Sequence, residues 1–140
     1  MSEKNEPNRK EGYLDRAMEH WNGPAGHHNC AQSVLHPFAE DCGISEQKAD
    51  QLTSQFGSGM KMGGCCGAIT GGLMAIGMLG GGDSEYRVFM DRMRKNHHNL
   101  VNCSDILKKD KAPAGDFRSA CDRMVSDAVE NVCYCMWGWG

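Results

Sequence analysis

The stretch from Cys65 to Leu79 constrains this chain most: it holds no charged residue, and a glycine-rich run, GSGMKMGG (57–64), leads into it. At about 15 residues it falls short of the roughly 20 that a helix needs to cross a membrane. It is expected instead as a central helix, Cys66–Leu79, buried inside a bundle. Gly63, Gly67 and Gly71 recur at i+4. Glycine costs roughly 1 kcal/mol per residue in a helix, so this spacing is expected to serve close packing or cofactor access. It leaves a smooth groove where a second backbone can come near. Gly80-Gly81-Gly82 ends the helix.

The remaining pattern is also helical. Tyr13–Trp21 places Leu14, Ala17, Met18 and Trp21 at helical spacing, and Gly23-Pro24 stops it. Asn29 reads as a helix N-cap, with Gln32 three residues on as its capping-box partner. Pro37 must kink or restart that helix, because proline has no N–H to donate, and Gly43 closes it. Ser45 caps another helix, through about Phe56. Asp83 or Ser84 starts the next, with Tyr86, Phe89, Met90, Met93 and His97 on one stripe. Asn102 caps a short helix through Leu107, and Lys108–Gly115 is a polar linker. A last helix runs from about Asp116 to Val132, with Phe117, Cys121, Met124, Val125, Ala128 and Val129 on its apolar face. No strand and no internal repeat is evident. The expected fold is all-α, a bundle of five or six helices with the glycine-rich loop leading into its central helix. One helical domain spans 12–132, between a disordered leader (1–11) and a tail (133–140) that contains cysteine and tryptophan.

A chain of 140 residues buries a core without needing disulfides or metals to hold it, so its eight cysteines call for another explanation. The leader lacks the apolar stretch of a signal peptide. A cytoplasmic location is therefore expected, and there many thiols point to metal or redox chemistry rather than to a disulfide framework. No C-x-x-C-H occurs for haem, and no C-x-x-C for a thioredoxin-like dithiol. Net charge is −3, and Lys108, Lys109 and Lys111 are interleaved with Asp105 and Asp110. A nucleic-acid partner is not expected, nor a membrane.

Cys30 follows Asn29, Cys103 follows Asn102, and Cys66 follows the glycine-rich run. Each is expected in the first turn of a helix, where free N–H groups and the helix dipole lower a thiol's pKa. Cys121 is aimed at the core. A bundle that gathers these four matches the ligand set of an iron–sulfur cluster or of tetrahedral zinc. The spacings of 36, 37 and 18 residues mean that the fold, not a local loop, assembles the site. The metal-free alternative is thiol–disulfide exchange, with Cys66 as nucleophile and Cys30, Cys65 or Cys103 resolving. A zinc-stabilised, non-enzymatic binding module is the third reading.

NCAQSVL (29–35), FGSGMKMGGCCGAITGGLMAIG (56–77), NCSDIL (102–107) and the late helix around Cys121 resemble, in that order, the redox-active protein family named for its C…GCAxxG…C…C pattern. The core element here is Cys66-Gly67-Ala68-Ile69-Thr70-Gly71. The resemblance covers residues 13 to about 130. It implies that the family's four characteristic cysteines are Cys30, Cys66, Cys103 and Cys121. Similarity to the iron–sulfur portion of split-Soret cytochromes implies a [2Fe-2S] or [4Fe-4S] cluster. Cys42, Cys65, Cys133 and Cys135 are additions to the usual pattern.

Cys42, beside Gly43, reads as a buried apolar residue. Cys133 and Cys135 bracket Tyr134 in an exposed tail and read as a second redox pair, a metal contact or an accident of composition. His27-His28 and His97-His98 precede Cys30 and Cys103. They read chiefly as loop histidines, with His28 and His98 as candidates to tune the thiol site. Met60 and Met62 are candidate soft ligands. The tail's Trp137 and Trp139 are expected to dock on a redox partner protein or a second copy of the chain. No Ser/His/Asp array, acid–base carboxylate pair or Walker pattern is found, so no substrate-transforming enzyme is supported.

Overall fold

Seven α-helices occur among the residues that the computed structural model describes, 6–22, 28–109 and 117–139. They are α1 (Glu6–Asn22), α2 (Cys30–Leu35), α3 (Glu46–Thr53), α4 (Gly67–Met78), α5 (Asp83–Asn96), α6 (Cys103–Lys109) and α7 (Phe117–Trp137). No strand occurs among them, and none of these helices is long and apolar enough to cross a membrane. The all-α bundle is as expected. The described residues hold at least one helix more than the five or six expected.

α2 starts where its capping box dictates. The Asn29 side chain accepts from the Gln32 N–H at 2.8 Å, and the Gln32 side chain accepts from the Asn29 N–H at 2.8 Å. Pro37 turns the chain into one 3-10 turn, His36–Phe38, and Gly43 closes the segment in a left-handed conformation (φ 76°). Ser45 caps α3 by accepting from the Lys48 N–H at 3.0 Å.

α4 crosses α2 at backbone contact. A Cβ on Gly71 would fall 2.6 Å from the Ala31 carbonyl oxygen, and one on Gly67 would fall 2.8 Å from the Phe56 carbonyl oxygen and 3.1 Å from the Ala31 nitrogen. The groove expected from the i+4 glycines thus holds α2. Gly72 accepts the Phe89 ring of α5 in the same way, 2.5 Å from such a Cβ. Gly63 does not extend this stripe. It has a left-handed φ of 72° and lies against Ser104.

Two boundaries differ from expectation. α1 begins at Glu6, inside the supposed leader, because proline at position 7 is tolerated in a helix's first turn; residues 1–5 lie outside those described. α7 runs through the supposed tail to Trp137 and stops only at left-handed Gly138 (φ 74°). Cys133 is therefore a core residue, 0% exposed. The tail's tryptophans fold back on α1. Trp137 stacks on Tyr13 at 5.5 Å, Trp139 lies 6.1 Å from the same ring, and Arg9 lies over both indoles. Tyr13 also stacks on Phe38 at 4.8 Å. These tryptophans are half-buried against their own chain, not displayed as a free docking surface. The Gly23-Pro24 stop, His27, most of the 108–115 linker and Asp116 lie outside the described residues.

Candidate functional site

Cys66 is the residue immediately before α4, and the N–H groups of Ala68 and Ile69 at the open end of that helix favour negative charge on its sulfur. Its backbone N–H donates to the Val101 carbonyl at 2.8 Å, and the Cys103 N–H donates to the Gly64 carbonyl at 2.7 Å. Cys65 and Asn102 face each other between these bonds as an antiparallel bridge. Two distant stretches are thus clamped together, and the clamp seats Cys66 beside Cys103, the first residue of α6.

The loop before the clamp is strained. Ser58, Gly59, Met60 and Lys61 are all left-handed, with φ of 52°, 62°, 59° and 61°. Left-handed backbone costs a residue with a side chain roughly 1–2 kcal/mol. Such strain persists where surrounding structure enforces it. Here the Gly64 N–H donates to the Gly59 carbonyl at 2.9 Å, and the Ser104 hydroxyl donates to the Gly63 carbonyl at 3.1 Å.

Cys30, the first residue of α2, interacts through its thiol with both Cys121 of α7 and Cys66. α7 is tied to α1 next to Cys121, where the Trp21 indole N–H donates to Asp122 at 2.5 Å. Cys103 feels the charges of Cys66 and Cys121. The Cys30 thiol thus contacts those of Cys66 and Cys121, and Cys103 lies near enough to both to feel their charge. All four are buried, none more than 9% exposed.

Their protonation is uneven. The Cys66 thiol is held below its ordinary value, first by hydrogen bonding from Cys30 and then, against the penalty of burial, by the Ala68 and Ile69 N–H groups. Cys30 is pushed well above its ordinary value by its contacts with Cys121 and Cys66 and by burial. Burial, with the neighbouring thiol charges, pushes Cys103 up to about 11. The expectation of a lowered thiol pKa at all three helix starts thus holds for Cys66 alone. At Cys30 and Cys103 desolvation and neighbouring thiols outweigh the helix N-terminus.

The other cysteines stand apart. Cys65 is half-buried and turned toward Thr70, its thiol 3.8 Å from the Cys66 carbonyl oxygen, and burial pushes it up. Burial also raises Cys42 to about 11, Cys133 to about 12 and Cys135 to about 11. None of His28, His97 and His98 joins the thiols. His28 lies against His20 and Asp50, His97 lies 2.9 Å from Asp127, and His98 is exposed. Met60 and Met62 are exposed, Met62 at 78%. Sequence reasoning missed the clamp, which no local spacing announces. It also missed a group formed by His20, His36 and Asp50, drawn from three separate elements.

A family model described as "Putative redox-active protein (C_GCAxxG_C_C)" matches residues 28–134, more than half of the chain, and the chain belongs to that family. Cys30, Cys66, Cys103 and Cys121 all fall inside the match. No curated protein and no solved structure matches the chain.

Proposed function

We propose that this member of the redox-active C_GCAxxG_C_C family holds an iron–sulfur cluster on Cys30, Cys66, Cys103 and Cys121 and serves electron transfer or redox sensing in the cytoplasm. The observation that supports this reading is that Cys30 contacts Cys66 and Cys121, that Cys103 feels the charge of both, and that all four are buried. A dithiol needs two sulfurs, whereas a [2Fe-2S] or [4Fe-4S] cluster takes four. When bound, such a cluster supplies one-electron exchange. The chain's own residues set its conditions. Cys66 offers the first thiolate, and Cys30, Cys103 and Cys121 give up their protons as ligation proceeds. The Ala68 and Ile69 N–H groups withdraw charge from the Cys66 sulfur, a standard lever on potential. Burial keeps water from the site. A redox partner protein would supply and accept the electron.

A second reading is favoured by the direct contact of Cys30 with Cys66. In it the Cys66 thiolate attacks a partner's disulfide. Cys30 then loses its proton and displaces the partner, which leaves reduced with two electrons while a Cys30–Cys66 disulfide remains. A zinc-stabilised module is the third.

Anaerobic purification, a visible spectrum, and assays of iron, acid-labile sulfide and zinc on one sample separate the three. Matched iron and sulfide with a brown colour that dithionite bleaches is the expected result. A colourless protein that takes up no cluster on reconstitution overturns the first reading and leaves thiol–disulfide exchange. Zinc alone favours the module.

A further inference from the structure

We propose that His20, His36 and Asp50, with His28 beside them, form a second metal site that takes a first-row divalent cation of the zinc class and is independent of the thiols. The three donors come from the last turn of α1, the turn after α2, and α3, and their ligand atoms all lie within 4.8 Å of one another. His20 Nε2 is 2.9 Å from Asp50 Oδ1. Two donors held about 2.1 Å from one metal, at angles between octahedral and tetrahedral, lie roughly 3.0–3.4 Å apart. The pair is therefore already near the separation of ligands sharing an ion.

One histidine is fixed in a single tautomer, and another has a ring nitrogen without a partner. His28 Nδ1 is 3.0 Å from the His20 carbonyl oxygen. A carbonyl only accepts, so Nδ1 carries the proton, and Nε2 lies 3.8 Å from Asp50 Oδ2. A backbone carbonyl fixing the tautomer of a ligating histidine is the usual outer support of metal sites. His36 Nδ1 is buried with no hydrogen-bond partner, a polar atom that the protein alone leaves unsatisfied. The rings of His28 and His36 stack on the two sides of His20, at 3.5 and 3.7 Å. Imidazole lone pairs lie in the ring plane, so stacked rings do not aim at one ion, and binding requires the His36 ring to turn about its Cβ–Cγ bond toward the His20–Asp50 pair. Burial, the leading cause, holds His20 below its ordinary pKa. Neutral imidazoles with one carboxylate suit zinc, copper, iron or nickel.

The surroundings supply rigidity and access. Gln32, whose side-chain oxygen completes the α2 capping box, donates through Nε2 to the Asp50 carbonyl at 3.0 Å, which fixes α3 on α2. Arg16, Glu19, Glu46 and Gln51 line an adjoining groove of about 860 Å³, an entry path with room for water at a remaining coordination position. Glu46 Oε2, 3.7 Å from His36 Nε2, adds negative charge at its rim.

The test is a cobalt(II) titration of the full, reduced chain under nitrogen. Cobalt bound by nitrogen and oxygen gives weak visible bands. Thiolate-bound cobalt adds intense near-ultraviolet charge transfer, so the two sites are read separately. One equivalent with the nitrogen–oxygen signature is expected. Asp50→Asn and His36→Gln should each weaken that binding on the order of 100-fold, the upper end of what even an outer-sphere change costs, and leave the sulfur signal unchanged. On the unmodified chain, cobalt should shift imidazole proton resonances paramagnetically, a readout that needs no variant to fold. Cobalt found only on sulfur, no imidazole shift, or undiminished binding in both variants overturns the proposal and leaves a metal-free histidine–aspartate cluster.

Discussion

The Cys30 and Cys66 thiols are hydrogen-bonded to each other, and this contact holds Cys66 below its ordinary pKa and Cys30 well above its own. The bond joins the first residue of α2 to the residue that opens α4, so the closest helix contact in the fold sets the chemistry of the site. In the metal-free, reduced protein, ultraviolet thiolate absorbance followed against pH should show one thiol ionising below the ordinary range. Cys30→Ala removes the largest cause of that shift. The early step should move up, which cuts the thiolate fraction at a fixed pH below it. An unmoved first step would mean that the α4 N-terminus alone holds Cys66 ionised.

The glycine stripe yields paired predictions. Gly71→Ala gains up to about 1 kcal/mol of helix propensity. However, its Cβ would meet the Ala31 carbonyl oxygen at 2.6 Å and the Ala31 Cα at 3.1 Å. Neither is a flexible side-chain end, so α2 and α4 must part. Overpacking of this kind costs about 1–3 kcal/mol, and the urea midpoint should fall. Gly77 lies in the same helix with nothing within 4 Å of an added Cβ, so Gly77→Ala should raise stability by up to about 1 kcal/mol and the midpoint with it. A loss in both variants would locate the effect in α4 itself rather than in its contact with α2.

Alkali should destabilise the metal-free protein. Burial raises Cys42, Cys103 and Cys135 from 9.0 to about 11 and Cys133 to about 12. A thiol raised in the folded state contributes stability that is fully present below the unfolded value and lost as pH rises toward the folded one. The loss should therefore begin near pH 9 and continue to about 11–12, at about 1.4 kcal/mol per pH unit for each thiol involved. Urea melts between pH 8 and 11 check this. Cys133→Ala, which leaves no titrating group at a fully buried position, should flatten the decline, whereas an unchanged slope would count against Cys133 as a contributor.

Local rules made much of this fold legible. The Asn29–Gln32 box, the Ser45 cap, the Gly43 and Gly80 stops, and the packing role of Gly67 and Gly71 are all short-range signals, and each has its counterpart in the structure. The four thiols were legible as residues but not as unequal partners, because Cys30 and Cys103 are governed by burial and by one another. The helical leader and tail were missed for a different reason. Nothing between Val132 and Trp137 breaks a helix, and Cys-Tyr-Cys only resembled an irregular end. The Gly64–Cys66 clamp on Val101–Cys103 and the His20–His36–Asp50 group join positions far apart in sequence, which no periodicity reports.

Asn29 offers a test of whether the scaffold or the thiols alone set the site. Its side-chain oxygen accepts from the Gln32 N–H at 2.8 Å, while its Nδ2 donates to the Thr53 and Ser54 carbonyls at 3.1 and 3.3 Å. One residue thus caps the helix that begins with Cys30 and ties it to the end of α3. Asn29→Ala loses both functions and should cost about 1–2 kcal/mol, the upper range for an N-cap. Asn29→Asp keeps the cap acceptor but turns a carboxylate oxygen toward two carbonyls, next to Cys30, whose thiol partner Cys66 is held below its ordinary pKa. It should lose stability while raising the first thiolate step, because added negative charge disfavours a second anion nearby. Asn29→Ala should lower stability and leave that step nearly in place. Chemical melts and thiolate titrations on both variants check this. If the first step moves equally in the two, the position of α2 rather than local charge sets the ionisation of Cys66.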